Sequence, residues 1–193
     1  GGASGGARGM ADGDGPVQRR PVKPAPKALT NIRLAVVGDA ACGKTCLVKA
    51  FCQQSAASGS YEPTVGVDFN VRRYCYAGQA MRVNIYDLSG ERHFLEVRNG
   101  FYKDVQGVLL AFDVTSRKSF QNLGPWLDEV SRLSPGDVQV VVVGTKIESG
   151  PRVVTEQMGH EWAKSQGLSY VEVSAALNRN VEVAFKEVLV RLA

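Results

Sequence analysis

The chain has 193 residues, 44% of them apolar, with 23 Lys and Arg against 19 Asp and Glu for a formal net charge of +4. That length serves one well-buried domain and hardly two. The excess charge lies in residues 1–33, where six basic residues face two acidic ones; the remainder balances to zero, so no basic field for nucleic acid is expected.

Residues 1–30, rich in Gly and then in Pro, cannot bury apolar surface and are expected to form a disordered basic tail before a folded domain at 31–193. Met10 is a candidate natural start. A solvated linker is the expected role of the tail, with weak attraction to an acidic membrane as the alternative. No apolar run approaches the ~20 residues that cross a bilayer, and no secretory signal is visible. A cytoplasmic monomer is expected, its membrane association peripheral if it occurs. The chain ends Val190-Arg191-Leu192-Ala193, so no prenyl anchor is expected. Cys42, Cys46, Cys52 and Cys75 lack metal-ligand spacing with His93 and His160, so reduced thiols are expected.

In chain order, Ile32–Val37 reads as a buried strand, followed by a Gly-rich loop and by Leu47, Val48 and Phe51 at helical spacing. After the polar stretch Gln53–Tyr61, Asp68–Tyr76 and Met81–Tyr86 read as a hairpin across Ala77-Gly78-Gln79-Ala80. Gly107–Val114 and Gln139–Val143 are apolar runs of the kind buried on both faces, and Tyr170–Val173 is a shorter candidate strand. Helical patterns cover Phe120–Leu133, Thr155–Gln166 ending at Gly167, and Val181–Leu192, with Asn180 placed to cap the last. Trp126 and Trp162 read as core or helix-face residues. Alternation of this kind gives an α/β fold: a mostly parallel six-stranded sheet with one antiparallel edge strand and helices on both faces.

Gly38-Asp39-Ala40-Ala41-Cys42-Gly43-Lys44-Thr45 fits G-x-x-x-x-G-K-[ST] between that first strand and helix. In such a loop successive backbone N–H groups, here of Asp39 through Cys46, point at one anion, and the helix start adds its positive end. Lys44 would reach the β- and γ-phosphates and the Thr45 hydroxyl would ligate Mg²⁺. The competing account is a Gly-rich turn without a ligand.

Four further stretches stand out: Tyr61-Glu62-Pro63-Thr64-Val65-Gly66-Val67-Asp68-Phe69 after a flexible segment, and Tyr86-Asp87-Leu88-Ser89-Gly90, Gly144-Thr145-Lys146-Ile147-Glu148 and Val173-Ser174-Ala175-Ala176 at the ends of strands. In order and spacing the five loops resemble those of a Ras-superfamily small GTPase over about residues 32–192, a P-loop NTPase G domain. Thr64-Val65-Gly66-Val67-Asp68-Phe69 looks like the Rab branch, and Glu96-Val97-Arg98-Asn99 with Phe101-Tyr102-Lys103-Asp104 resembles the Rab-like proteins that elsewhere carry a J domain. The chain ends before a J domain could begin, so co-chaperone activity is not expected. The resemblance implies GTP or GDP with Mg²⁺ as ligands. Thr64 would close over the γ-phosphate and share Mg²⁺ with Thr45 and Asp87, and the Gly90 N–H would touch the γ-phosphate. Tyr61, Thr145, Lys146, Glu148, Ser174, Ala175 and Ala176 would complete the nucleotide site. Asp113, at the end of an apolar strand, is a rival for the metal role, though a strand-end hydrogen-bonding function suits it better.

The resemblance breaks at four places. Glu91 stands where active relatives have Gln; a carboxylate only accepts and adds negative charge beside phosphates. Intrinsic hydrolysis on the order of 10⁻⁴ s⁻¹ or slower is expected, with a base role for Glu91 as the alternative. Ala40 replaces a common Gly and would crowd an arginine finger. Thr145-Lys146-Ile147-Glu148 replaces Asn-Lys-x-Asp; Glu148 moves the base-reading carboxylate by one carbon–carbon bond, about 1.5 Å, so guanine preference is expected to weaken. Ser55-Ala56-Ala57 lacks the ring that relatives place over the guanine edge. His93 is expected to be solvated and His160 partly packed. The leading expectation is a GTP/GDP switch whose effectors and regulators contact Thr64–Phe69 and Gly90–Phe101. A nucleotide-loaded scaffold that hardly hydrolyses is the second, and an ATP-dependent phosphotransferase the third.

Overall fold

The computed structural model describes residues 1–2, 29–53, 62–134 and 136–192. Most of the expected tail, Ser55-Ala56-Ala57 and Tyr61 lie outside these residues. Six strands form one sheet in the order β2-β3-β1-β4-β5-β6: β1 Thr30–Val37, β2 Val67–Tyr76, β3 Gln79–Leu88, β4 Gly107–Asp113, β5 Gln139–Thr145 and β6 Ser169–Glu172. Only β2 runs antiparallel to its neighbour, with Val67 opposite Leu88 and Tyr76 opposite Gln79. The hairpin turn is therefore two residues rather than four. Ala77 and Gly78 take φ of 48° and 78°, the left-handed pair that matches the twist of the strands, which carries Gln79 and Ala80 into β3.

Helices α1 (Lys44–Phe51), α2 (Leu95–Tyr102), α3 (Arg117–Gln121), α4 (Leu123–Leu133), α5 (Glu156–Ser165) and α6 (Val181–Leu192) cover both faces. Strand alternation divides the core. Ile32, Leu34 and Val36 of β1 pack with α1 and α6, whereas Ala35 and Val37 face Tyr102 of α2, Val130 of α4 and Ala163 of α5. In the first layer the Phe51 and Phe185 rings stack 3.7 Å apart, and the Arg72 guanidinium lies 4.2 Å above Phe51. Phe185→Ala is expected to cost about 3–5 kcal/mol through the cavity it leaves, measured as a lower urea midpoint at unchanged slope.

The run expected as one helix over Phe120–Leu133 is two. Pro125 has no N–H for the Gln121 carbonyl and so breaks the ladder there, yet it is tolerated in the first turn of α4. Within and just beyond the Gly90–Phe101 segment expected to meet partners, Leu95–Tyr102 is helical after the 3₁₀ turn Arg92–Phe94. Thr155 caps α5 by accepting from the Met158 N–H, and Gly167 turns left-handed at φ 70° just beyond it. Asn180 does not cap α6 with its side chain as expected: its amide donates to the Glu172 carbonyl, tying the helix start to β6. His160 is exposed, edge-on to Tyr170 at 4.9 Å, rather than packed, and His93 is exposed as expected. Among the described residues no helix is long and apolar enough to cross a membrane.

Because the five parallel strands point the same way, the segments after β1, β3, β4, β5 and β6 converge at one edge of the sheet, where ligands of such sheets bind.

Candidate nucleotide site

The loop Gly38–Gly43 leaves β1 and enters α1 through Gly43, whose φ of 91° suits a residue without Cβ, and Ala41 is also left-handed at φ 61°. Lys44 is only 5% exposed. Its ammonium folds back over the loop and donates to the Gly38 and Asp39 carbonyls at 2.9 and 2.7 Å. The third N–H bond of the ammonium has Cys42 Sγ at 4.0 Å, a weak acceptor that an incoming anion would outcompete. The Cys42 thiol donates in turn to the Ala111 carbonyl at 3.5 Å, and burial pushes it above the ordinary range. The Asp39 carboxylate is turned from the loop as well, accepting from Asn122 Nδ2 and Trp126 Nε1 at 2.7 Å each. Of Asp39 only the backbone is left for a ligand.

Three expected metal ligands converge beside Lys44. Thr45 Oγ1 lies 2.9 Å from Thr64 Oγ1 and 2.5 Å from Asp87 Oδ2, and Thr64 Oγ1 is 3.4 Å from the same carboxylate oxygen. Asp87 is fully buried, and its Oδ1 has no hydrogen-bond partner among the described residues. Burial raises its carboxyl pKa, opposed by the Thr45 hydrogen bond and the Lys44 charge. Two hydroxyls and a carboxylate with an unspent buried oxygen form a hard-oxygen set that fits Mg²⁺ and its water ligands. Asp113 is otherwise committed: Oδ1 accepts from the Thr115 N–H and hydroxyl at 2.8 and 2.7 Å, and Oδ2 pairs with Lys146 at 2.7 Å. Burial raises its pKa, but Lys146 and Thr115 outweigh that and hold the carboxyl below its usual value.

Gly90 sits directly on the Asp39–Ala40 peptide, where any Cβ would collide with backbone. Its N–H makes no hydrogen bond among the described residues. Glu91 stands between two cavities, one of about 360 Å³ walled by Lys44, Thr45, Thr64 and Gly90, the other of about 910 Å³ walled by Asp39, Ala40, Arg98 and Trp126. Its backbone is held at both ends, the N–H by Ser89 Oγ at 3.3 Å and the carbonyl by Arg98 at 2.7 Å. No hydrogen bond engages its carboxylate among the described residues.

A third cavity, of about 680 Å³, is lined by Gly43, Cys46, Lys146, Glu148, Ala175 and Ala176 among others. Thr145 is buried beneath it, with Oγ1 2.5 Å from the Cys42 carbonyl and 2.9 Å from that of Phe112. Its single proton serves one of these at a time, so Thr145 braces the phosphate loop and has no donor left for a base. Ser174 is buried too: its hydroxyl accepts from the Leu177 N–H and its backbone exchanges two hydrogen bonds with Arg179. Ala175 and Ala176, not Ser174, present the wall. Asn178 also lines this cavity; no motif pointed to it.

A sequence model of the Ras family matches residues 33–193. The chain belongs to the Ras family. Within it the chain is Rab-like. It is similar to the Ras-related protein Rab-37 of Homo sapiens, 33% identical over 181 residues that cover 93% of this chain and 80% of the relative. Rab-26 of Mus musculus is 34% identical over 154 residues, 79% of this chain and 59% of the relative. DnaJ homolog subfamily C member 27 of Mus musculus is 36% identical over 172 residues, 86% of this chain and 63% of the relative, in keeping with the subfamily resemblance. The chain thus spans about three-fifths of the length of these last two. The Ras-family fold accounts for the segments gathered at the strand ends: the phosphate loop, the Thr64 and Gly90 segments, and the two that wall the third cavity.

Proposed function

We propose that this chain is a guanine-nucleotide switch that binds GTP and GDP with Mg²⁺ and offers an effector surface when GTP is bound. The observation that carries the reading is the convergence of Thr45, Thr64 and Asp87, from three separate segments, beside the inward-folded Lys44. These three side chains would hold Mg²⁺, which when bound neutralises charge on the outer phosphates. Lys44 grips the phosphates with its remaining N–H, the Gly90 N–H meets the γ-phosphate, and Glu148 accepts from the guanine edge with Lys146 along the base. When the γ-phosphate leaves, Thr64 loses its anchor and its segment relaxes.

The surface that would be read is apolar. Val65 is 79% exposed, Phe69 53% and Val97 47%, and the Phe69, Tyr86 and Phe101 rings form a row with centroids 5.6 and 5.2 Å apart. An exposed patch of this kind supports a protein partner contacting both segments. The Rab likeness supports a place in intracellular trafficking.

Affinities for GTP, GDP and ATP measured with Mg²⁺ test the reading. GTP and GDP are expected to bind at least about tenfold tighter than ATP, the equivalent of one hydrogen bond to the Glu148 carboxylate. Equal affinity for ATP, or none for GTP, overturns it. The second reading, a loaded module that hardly turns over, is favoured by Glu91, an acidic residue lining the phosphate cavity. GTP retained through purification with negligible phosphate release would decide for it.

A further inference from the structure

Arg98 of α2 is 2% exposed, and four of the five N–H bonds of its guanidinium are engaged. Nε and Nη2 meet the two oxygens of Glu129 in α4 at 3.0 Å each, while Nη1 donates to the carbonyls of Ser89 and Glu91 at 3.1 and 2.7 Å. The Tyr102 hydroxyl donates to Glu129 at 2.8 Å, and the Arg98 plane lies 4.8 Å from the centroid of Trp126, whose N–H goes to Asp39. Side chains thus link the phosphate loop, through Asp39, Trp126 and Arg98, to the carbonyls of Ser89 and Glu91, the residues on either side of Gly90. A buried ion pair rarely outperforms an apolar pair in stability, so stability does not account for it. Its geometry does. With both flanking carbonyls drawn toward α4, the Gly90 peptide is held against Asp39–Ala40 with its N–H uncommitted.

The geometry points to Arg98 as the positioning residue for triphosphate recognition: it holds the Gly90 N–H where a terminal phosphate will sit, with Trp126 coupling that peptide to the phosphate loop. This rests on the guanine-nucleotide reading above. None of the clamp's groups belongs to the nucleotide. The segment from Ser89 to Tyr102 therefore keeps its place with GDP as well as GTP, and Thr64 becomes the moving sensor.

Two variants test this. Arg98→Gln with Glu129→Gln removes the fork without stranding a buried charge. Arg98→Lys keeps a charge for Glu129 but lacks the planar fork that spans two carbonyls. GDP and a slowly hydrolysed GTP analogue are titrated against each, and Trp126 emission is recorded in a Trp162→Phe background. For both variants the expected result is GDP affinity within about twofold of the parent and triphosphate affinity lower by about tenfold, the scale of one charge-assisted hydrogen bond. In the parent, Trp126 emission should be the same with either nucleotide, and in the variants it should differ. If GDP and triphosphate affinity fall together, the clamp only supports folding and the inference fails. It fails equally if the variants keep the parent's preference, or if Trp126 emission in the parent shifts with the nucleotide. A parent that binds no guanine nucleotide overturns the switch reading and this inference with it. Should the double variant not fold, Arg98→Lys carries the test on the same criteria.

Discussion

Lys44→Ala is expected to lose GTP and GDP affinity by roughly a thousandfold, about 4 kcal/mol, the sum of two charge-assisted hydrogen bonds. The ammonium acts in two directions. Two of its N–H bonds hold the Gly38 and Asp39 carbonyls, keeping the loop curled, the third meets only the weak acceptor Cys42 Sγ, and the residue lines the cavity shared with Thr45 and Thr64. Alanine removes the cation and releases the two carbonyls, so the loss should fall on both nucleotides alike. Calorimetric titration with Mg²⁺ measures it, with circular dichroism to show that the fold is intact. An alanine variant within tenfold of the parent would mean that phosphates are held elsewhere.

Glu91→Gln is expected to speed single-turnover GTP hydrolysis by ten- to a hundredfold while changing GTP affinity little. The Glu91 backbone is already fixed by Ser89 and Arg98, so the substitution alters the side chain and not the path of the chain. A carboxylate about 4 Å from a phosphate charge costs roughly 1 kcal/mol in bulk water and about 4 kcal/mol at the effective dielectric of a protein surface, and an amide removes that while adding a donor toward the γ-phosphate. Quantifying released phosphate decides the matter. A parent already faster than about 10⁻³ s⁻¹, above the intrinsic rate known for a relative with glutamine, and unaffected by the change would show that Glu91 is not the brake.

The legible parts of this molecule were those whose causes are local in the chain. The phosphate loop declares itself in eight consecutive residues, and the α6 stripe and the Thr155 and Gly167 ends of α5 depend on neighbours within one or two turns. The mostly parallel sheet with one antiparallel edge pair followed from strand and helix alternation after the hairpin. The break before α4 was also written locally, in Pro125, but the apolar spacing of Phe120–Leu133 outweighed it in the reading. Arg98, Glu129 and Trp126 could not be found this way: their contacts join residues 31 and 87 positions apart, and each alone looks like an ordinary helix residue. Asn180 misled for a related reason. An amide before a helix suits a cap, yet the Glu172 carbonyl, brought near only by the folded sheet, takes its N–H instead.

The outer strand β6 has only four residues, yet it is the sole sheet neighbour on that side of the Val140–Val143 run of β5. Arg152 grips Glu172, Tyr170 donates to the same carboxylate, and Arg191 reaches Ser169. Fraying of this short strand would leave the backbone edge of an uncharged run of valines unpaired, an edge prone to intermolecular β-pairing. These polar contacts therefore pin the short strand over that backbone edge, at the side of the sheet opposite its hairpin.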